Sequence, residues 1–298
     1  AGDLSAKERI VLAVIGLGIS LAAAGSLRAA PESPAKTDLP ALLEKLKTLP
    51  DEDKPAVLNQ IASAYFAAKD HNEAARRAEQ ALALAEARGN DWEAAQARLT
   101  LGSAHYWLGN HPLSLELLKA SSAALERLAM DPGDVPRDAL LKARIGAASW
   151  LGFAYQQTHD EQIYLDTLLK GLSLARAAGD ERAQANFLYR AAIAYHLRSE
   201  YEKALAMGIE AVDSARTVGD RTLLIDCEYT VGYIYRDLKR LDTAQDFFQS
   251  ALRGAEAKRD NLRTALALNE IGNIHLMQDR YREALEFKKK ALDSAVLS

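Results

Sequence analysis

The sequence repeats one sparse frame. VGYIYRDLKRLDTAQDFFQSAL (residues 231–252) and IGNIHLMQDRYREALEFKKKAL (residues 271–292) each open with an aliphatic residue and glycine, carry a ring three residues after the glycine, and end in Ala-Leu. The same frame starts at six positions, with a period of 40 residues and one ten-residue insertion: 61, 101, 151, 191, 231 and 271. A unit of this kind cannot bury its apolar face alone, so its copies are expected to stack.

The frame places small residues and rings where two helices would meet. A small residue after the aliphatic start lets paired helices approach closely, and the ring fills the space beside it. Ser114 and Tyr164 replace the alanine that the other four copies carry at a later fixed position, and an extra loop precedes the third copy, so we expect irregular packing there. The ring positions are Tyr65, His105, Tyr155, Tyr195, Tyr235 and His275.

Composition favours helices and a limited set of functions. Alanine and leucine dominate, and these residues lose little freedom in a helix, so we predict an all-α protein. The net charge is −4 and no basic stripe is visible, which argues against nucleic acid as a partner. The single cysteine, Cys227, excludes an internal disulfide framework and falls in a helical apolar pattern, where a buried small hydrophobe is expected.

These stretches resemble the tetratricopeptide repeat. The best matches are residues 231–252 and AAIAYHLRSEYEKALAMGIEAV (residues 191–212), and the resemblance covers about residues 52–298. It implies an all-α, right-handed α-solenoid of about six helix pairs. The period of 40 residues exceeds the family's usual length of about 34, which implies longer helices like those of kinesin light chains and many bacterial signalling proteins.

The resemblance also implies a ligand-binding groove, lined by the first helix of each pair. Family contacts lie five and two residues before, and two and five residues after, the aliphatic start. In copies 4–6 these positions carry Ile193 and nine residues that we predict to bind a partner: Asn186, Tyr189, His196, Asp226, Tyr229, Tyr233, Arg236, Asn269 and Asn273. In copies 1 and 2 the groove residues, for which the prediction is weaker, are Asn59, Ser63, Phe66, Gln96, Ser103, Tyr106 and Trp107.

Two interpretations of these groove residues stay open. Asn269 and Asn273 lie one turn apart, so both amides could bind a ligand backbone. The alternative is that the groove side chains pack against the neighbouring repeat. The lysines with which some family members bind a carboxylate are absent from these positions, so an acidic C-terminal peptide is not the favoured ligand.

The sequence carries no motif for chemistry. We find no nucleophile motif, phosphate loop, zinc motif or paired carboxylates in an apolar setting, and we predict no catalytic residue, metal or cofactor. The run Lys288–Lys290 lies one turn from Glu283 and Glu286, which predicts a solvated helix face. A non-enzymatic binding protein is therefore predicted, with an enzyme as a distant third class.

Residues 1–30 are predicted to be a signal sequence or a membrane anchor. Residues 10–27 carry no charge and follow Lys7 and Arg9, and small residues near Ala24 could be a cleavage site. Both alternatives place the rest of the chain on the far side of a membrane. The chain is expected to contact the membrane only through residues 1–30. Residues 31–51 are interpreted as a tether and a short helix, and residues 52–298 as the solenoid.

The predicted location is the bacterial periplasm, exported or tethered to the inner membrane. The leading hypothesis is the sensor or interaction region of a signalling receptor that binds a protein or peptide, because the arrangement resembles the input half of membrane diguanylate cyclases and histidine kinases. The alternative is a self-contained periplasmic scaffold that assembles an envelope complex. An apolar strip in the last copy predicts either a longer protein or a homodimer formed through that copy: Ala291, Leu292, Ala295, Val296 and Leu297.

Overall fold

The computed structural model describes residues 38–158 and 160–296, which contain thirteen α-helices. The predicted signal or anchor, residues 1–30, and Leu297 lie outside these residues. The helices are α1 (Leu39–Thr48), α2 (Lys54–Ala67), α3 (His71–Ala87), α4 (Asp91–Trp107), α5 (His111–Met130), α6 (Arg137–Gln156), α7 (Glu161–Ala178), α8 (Glu181–Leu197), α9 (Tyr201–Val218), α10 (Arg221–Asp237), α11 (Leu241–Lys258), α12 (Asn261–Met277) and α13 (Tyr281–Val296).

Helices α2–α13 form six pairs, which confirms the predicted all-α repeat fold. The described residues divide into two compact units, 38–180 and 181–296. Within each unit every helix packs on the next one, and the first helices of successive pairs also contact each other. In residues 181–296 these first helices are α8, α10 and α12, which begin 40 residues apart at Glu181, Arg221 and Asn261.

Local chemistry sets where the helices begin. Asp220 precedes α10, and its carboxylate accepts hydrogen bonds from the backbone N–H groups of Thr222 and Leu223. Asp260 precedes α12 and accepts one from Arg263. Backbone N–H groups in the first turn of a helix have no partner within the helix, so these aspartates fix its first residue.

Each of the helices α7, α9 and α11 is followed by a residue in the left-handed conformation. Gly179 and Gly219 adopt φ of 65° and 72°, and Arg259 adopts φ of 54° at the equivalent position. A side chain makes this conformation costly, whereas glycine adopts it freely.

We therefore expect Arg259→Gly to stabilise residues 181–296 by about 1 kcal/mol, because the left-handed strain of a non-glycine residue is removed. Urea unfolding followed by circular dichroism measures this difference. Gly219→Arg is the matched control and should destabilise by a similar amount. A neutral or destabilising effect of Arg259→Gly would show that the arginine side chain has a compensating role.

The turn inside five of the six pairs repeats one geometry, and four of these five turns form it without glycine. Eight residues after the start of the frame, five copies place a residue at positive φ, and Gly109 is the one glycine among them; the others are Lys69, Ser199, Lys239 and Asp279. Hydrogen bonds of the following backbone N–H group to the end of the first helix hold the turn, as with Arg240 N and Tyr235 O at 2.9 Å. The tight turn is therefore set by the helix pair, not by residue choice.

The small residues of the frame mark close helix contacts, as predicted. A Cβ at Gly232 would lie 2.8 Å from a ring carbon of Phe248, which is completely buried on α11. A Cβ at Gly102 would lie 2.8 Å from Leu118 on α5. The ring positions pack beside these contacts: Tyr235 stacks on Phe247, with ring centroids 5.6 Å apart.

His275 is a ring of the frame whose burial has a consequence for pH. It stacks on Phe287 at 5.1 Å and is 3% exposed. Burial, with a smaller contribution from Arg280, lowers the pKa of His275 below the ordinary value of 6.5, while Glu283 opposes the shift. The folded protein therefore keeps this ring neutral at a pH where the unfolded chain takes up a proton.

We accordingly expect the free energy of unfolding to decrease as pH falls below about 6.5, towards the lower pKa of the folded state. His275→Phe keeps a stacked ring and should show a smaller loss between pH 7.5 and pH 5.5 than the unsubstituted protein. Urea unfolding at both pH values measures the difference. Burial also lowers the pKa of His71, but this contribution is the same in both proteins and cancels in the comparison. An equal loss in both proteins would contradict the assignment.

None of the helices in the described residues is long and apolar enough to cross a membrane. On α13, Ala291 is completely buried, whereas Leu292 and Val296 are 43% and 79% exposed. The exposed part of the predicted apolar strip is therefore smaller than the sequence indicated, and its role in association stays a prediction.

Candidate functional site

The first helices of residues 181–296 carry a face of polar and aromatic side chains. Asp226, Tyr229, Tyr233 and Arg236 follow one another on α10 at intervals of three or four residues, which places them on one side of the helix. Asn269 and Asn273 occupy the corresponding side of α12. The structure thus brings six of the nine predicted partner-binding residues together on two neighbouring helices.

Glu270, a residue that the sequence analysis did not select, is the centre of this face. It lies on α12, is 1% exposed, and its carboxylate accepts four hydrogen bonds from side chains. Tyr233 Oη donates to Oε1 at 2.9 Å, Arg236 Nη1 donates to Oε2 at 2.6 Å, and the Nδ2 groups of Asn269 and Asn273 donate to Oε1 at 3.2 and 3.1 Å. A buried carboxylate needs such compensation for its lost hydration.

Lys288 approaches the same asparagines from α13. Its Nζ donates to Oδ1 of Asn269 at 3.0 Å and to Oδ1 of Asn273 at 2.7 Å. Lys288 is 1% exposed, and burial lowers its pKa below the ordinary value. The prediction that Lys288–Lys290 form a solvated face is therefore wrong for Lys288, although Lys289 and Lys290 are exposed. We call Glu270, Lys288, Asn269, Asn273, Tyr233 and Arg236 the Glu270 cluster.

The two tyrosines of α10 join the Glu270 cluster to the apolar core. Tyr229 Oη donates to Tyr233 Oη at 3.3 Å, and both rings meet Phe248 edge to face at 5.4 and 5.7 Å. Burial, with a smaller contribution from Glu270, raises the pKa of Tyr233 to about 12. Both hydroxyls therefore stay protonated, and the guanidinium of Arg236 lies 4.3 Å from the centre of the Tyr233 ring.

Asp237 links the polar sides of α8 and α10. His196 Nε2 donates to Asp237 Oδ2 at 2.7 Å, and Arg236 donates to Asp237 Oδ1 from Nε and Nη2 at 3.0 and 2.9 Å. Burial alone would raise the pKa of Asp237, but the hydrogen bonds from His196 and Arg236 lower it below its ordinary value. Arg236 is thus held between the carboxylates of Asp237 and Glu270.

A second ion cluster lies at the other end of these helices. Arg263 of α12 donates to both oxygens of Asp226 at 2.7 and 2.8 Å and to Asp260 at 2.8 Å. The hydrogen bonds to Asp226 raise the pKa of Arg263 above its ordinary value. Asp226 is 5% exposed, and its carboxylate is fully engaged by this arginine. Its first role in the structure is to join α10 to α12.

The remaining predicted residues lie on α8. Asn186 is half-buried, and its Nδ2 donates to the backbone oxygen of Arg182 at 3.0 Å. Burial, with a contribution from Asp226, raises the pKa of Tyr189. Asp226 and Asn269 are buried, whereas the half-buried predicted residues include Asn186, His196, Tyr233, Arg236 and Asn273. Partner binding by all nine residues stays a prediction.

The equivalent positions in residues 38–180 are more aromatic. Phe66 and Tyr106 both meet Trp150, at centroid distances of 5.4 and 5.9 Å, and Trp107 is 40% exposed while it stacks on His71. Asn59 is buried and donates to Glu93 Oε2 at 2.7 Å. This unit therefore lacks a counterpart of the Glu270 cluster at the described positions. Within residues 38–158 and 160–296, no three His, Cys, Asp or Glu side chains are placed to hold a metal ion.

Comparison with known proteins agrees with this architecture. Residues 225–295 match the tetratricopeptide repeat family model, and no curated protein sequence matches the chain. The fold is similar to a Signal Transduction ATPase with Numerous Domains with a tetratricopeptide repeat sensor from Pyrococcus horikoshii (TM-score 0.72, 16% identity, 86% of this chain). The chain spans 38% of the length of that protein.

Two further structures have the same fold over most of their own length. BtubC (BKLC) from P. vanneervenii is 14% identical with a TM-score of 0.61, and the match covers 84% of this chain and 92% of BtubC. The apo form of the quorum sensor NprR from B. thuringiensis is 12% identical with a TM-score of 0.57, and the match covers 98% and 89%. At these identities the likeness shows the fold alone. Residues 225–295 therefore match the tetratricopeptide repeat family, and the same helix pair recurs in both units.

Proposed function

We propose that this chain is a non-enzymatic module that binds a protein or peptide on the polar face of α8, α10 and α12. The observation that carries the proposal is the Glu270 cluster, in which the half-buried side chains of Tyr233, Arg236 and Asn273 are held in place by a buried carboxylate. Side chains fixed before binding lose little freedom when a ligand arrives. Tetratricopeptide repeats are generally interaction modules, which agrees with this role.

The chemistry of the face suits an extended peptide. Tyrosine and arginine are enriched at the centres of protein interfaces, and asparagine offers hydrogen bonds to a peptide backbone. Tyr233 and Arg236 on α10 and Asn273 on α12 lie on neighbouring helices, so a ligand lying across α10 and α12 would meet all three. Asn186 and His196 extend the same face onto α8.

We further propose that the module works in the bacterial cell envelope as the sensor or interaction region of a signalling receptor. The support is the uncharged segment of residues 10–27, which has the composition of a signal sequence or anchor. A self-contained periplasmic scaffold is the second candidate. Fractionation of bacteria that express the tagged chain, with protease added to spheroplasts, tests the location. A cytoplasmic, protease-protected chain would overturn the envelope proposal for both candidates.

The binding proposal is tested with the single substitution Asn273→Ala. A double alanine at Asn269 and Asn273 would also remove both acceptors of the buried Lys288, so the single change is the cleaner one. Peptides selected from a phage-displayed library on the unsubstituted protein are expected to bind the variant about two- to tenfold more weakly, since one hydrogen bond contributes about 0.5–1.5 kcal/mol.

Asp246→Ala on the exposed surface of α11 is the matched control and should bind the selected peptides normally. Melting by circular dichroism confirms that both variants are folded. Unchanged binding by Asn273→Ala would exclude this face as the contact surface. Failure to select any peptide against the unsubstituted protein would contradict peptide binding itself.

A further inference from the structure

Two asparagine amides lie between a buried cation and a buried carboxylate. Lys288 Nζ donates to Oδ1 of Asn269 and Asn273, while Nδ2 of each asparagine donates to Glu270 Oε1. Both charged groups are 1% exposed. The two amides therefore bridge Lys288 on α13 and Glu270 on α12 by hydrogen bonds.

This arrangement fixes the direction of both amides. An asparagine side chain has one acceptor oxygen and two N–H donors, and a lysine ammonium can only donate, whereas an ionised carboxylate can only accept. Turning the Asn273 amide by 180° would point N–H groups at the ammonium and oxygen at the carboxylate. Hydrogen bonds to charged groups are the strong ones, so Lys288 and Glu270 together oppose that rotation.

The fixed direction decides what the face offers to a ligand. Asn273 Oδ1 is engaged by Lys288, and one Nδ2 hydrogen is engaged by Glu270, which leaves the second Nδ2 hydrogen of a half-buried side chain. Glu270 already accepts four hydrogen bonds. Arg236 beside it has only donors. The centre of the face thus presents N–H groups, whereas each of its oxygens already accepts a hydrogen bond from within the protein.

The charges at this centre are balanced. Arg236 and Lys288 are positive, and Glu270 and Asp237 are negative. A donor surface without a net charge matches a neutral acceptor better than a carboxylate or a phosphate. The acceptor that an extended peptide carries at every residue is its backbone carbonyl oxygen.

We infer that Lys288 and Glu270 are positioning residues that fix the hydrogen-bond direction of Asn273, and that the face therefore holds a peptide by its backbone carbonyl oxygens rather than by its N–H groups. This inference rests on the proposed peptide-binding function and specifies its ligand chemistry. Lys288 acts from the second helix of its pair, one layer behind the face that the ligand touches.

The test uses a peptide selected from a phage-displayed library and two sets of synthetic analogues. A thioamide weakens one carbonyl acceptor, and an N-methyl group removes one N–H donor. On the unsubstituted protein, a thioamide at one or two positions should weaken binding about tenfold, whereas N-methylation at those bonds should change it less than about twofold. N-methylation as the costly change at those bonds would overturn the inference.

The positioning role is tested by the same analogues on three variants. Lys288→Met removes the cation at similar volume, and Glu270→Gln removes the charge of the acceptor; each should reduce the tenfold thioamide penalty to about twofold. Lys288→Arg keeps the donor and should retain the penalty, and Lys289→Met is the exposed control. A purely structural role would lower stability in Lys288→Met but leave the thioamide penalty intact, and that outcome would overturn the inference.

A measurement without peptide separates this inference from the proposed function. Hydrogen exchange of the Asn273 side-chain amide, followed by NMR, should show one slow and one fast Nδ2 hydrogen in the unsubstituted protein. Lys288→Met should accelerate the slow one, because the amide is no longer held from its oxygen side. Two equally slow hydrogens would overturn the inference even if peptides bind. One slow and one fast hydrogen without any selected peptide would instead sink the proposed function.

Discussion

Asp226→Ala is expected to lower the free energy of unfolding of residues 181–296 by about 3–5 kcal/mol. The carboxylate is nearly buried and receives two hydrogen bonds from Arg263, whose own side chain is 15% exposed. Without Asp226, Arg263 keeps only Asp260 as a carboxylate partner. Loss of one partner of a buried ion pair is among the costliest single changes in a protein. Urea unfolding of the purified protein, followed by circular dichroism, measures the loss.

Two comparisons show whether burial is the cause. Asp213→Ala removes an exposed partner of Arg216 on α9 and should cost less than about 0.5 kcal/mol, because solvent screens that pair. The double substitution Asp226→Leu with Arg263→Met removes both charges together and should recover most of the stability lost by Asp226→Ala. A loss below about 1 kcal/mol for Asp226→Ala would mean that water reaches Arg263 easily.

The fold was predictable because the repeated frame reports local packing. Gly232 and Gly102 follow an aliphatic residue in their copies, and each lies against a buried side chain of its paired helix. Spacing alone carried that information, since residues three or four apart share a helix face. The turn inside each pair was less visible, because Lys69, Ser199 and Lys239 adopt left-handed conformations that their residue types do not indicate.

The sequence predicted the half-buried residues of the candidate site but not the buried charged residues that hold them. The family positions selected Tyr233, Arg236 and Asn273, which the structure places on one face. They did not select Glu270 or Lys288, because the selection considered only positions that face the groove. Whether a partner uses the face cannot be read from spacing, since a side chain that faces a groove can be engaged within the protein, as Asp226 is by Arg263.

Lys288 nevertheless left a signal in the repeat. Seventeen residues after the start of the frame, the other copies carry residues of the buried core, and a charged residue occurs there in the sixth copy alone: Ala78, Leu118, Leu168, Gly208, Phe248 and Lys288. A lysine at a core position must find acceptors, because burial of an unpaired cation is costly. Alignment of the copies within one chain therefore identifies Lys288 as a buried charge, although the run Lys288–Lys290 alone suggests a solvated helix face.

Gly232→Leu is expected to destabilise residues 181–296 by about 1–3 kcal/mol or more, because the site has no space for a side chain. A Cβ alone would lie 2.8 and 2.9 Å from two ring carbons of Phe248, and Phe248 has no exposed surface into which it could move. The larger leucine must therefore separate α10 from α11 or displace the ring. Thermal melting by circular dichroism gives the shift, and Gly232→Ala should show a smaller shift in the same direction.

The clash with Phe248 is identified by a second substitution. Phe248→Ala alone should cost about 3–5 kcal/mol through the cavity it leaves. In the double variant the leucine at 232 can occupy part of that cavity, so the combined loss should be smaller than the sum of the two single losses by at least about 1 kcal/mol. Additive losses would show that the leucine clashes with a group other than the Phe248 ring. An unchanged midpoint for Gly232→Leu alone would contradict the helix contact itself, and with it the alignment of the frame that places Gly232 between α10 and α11.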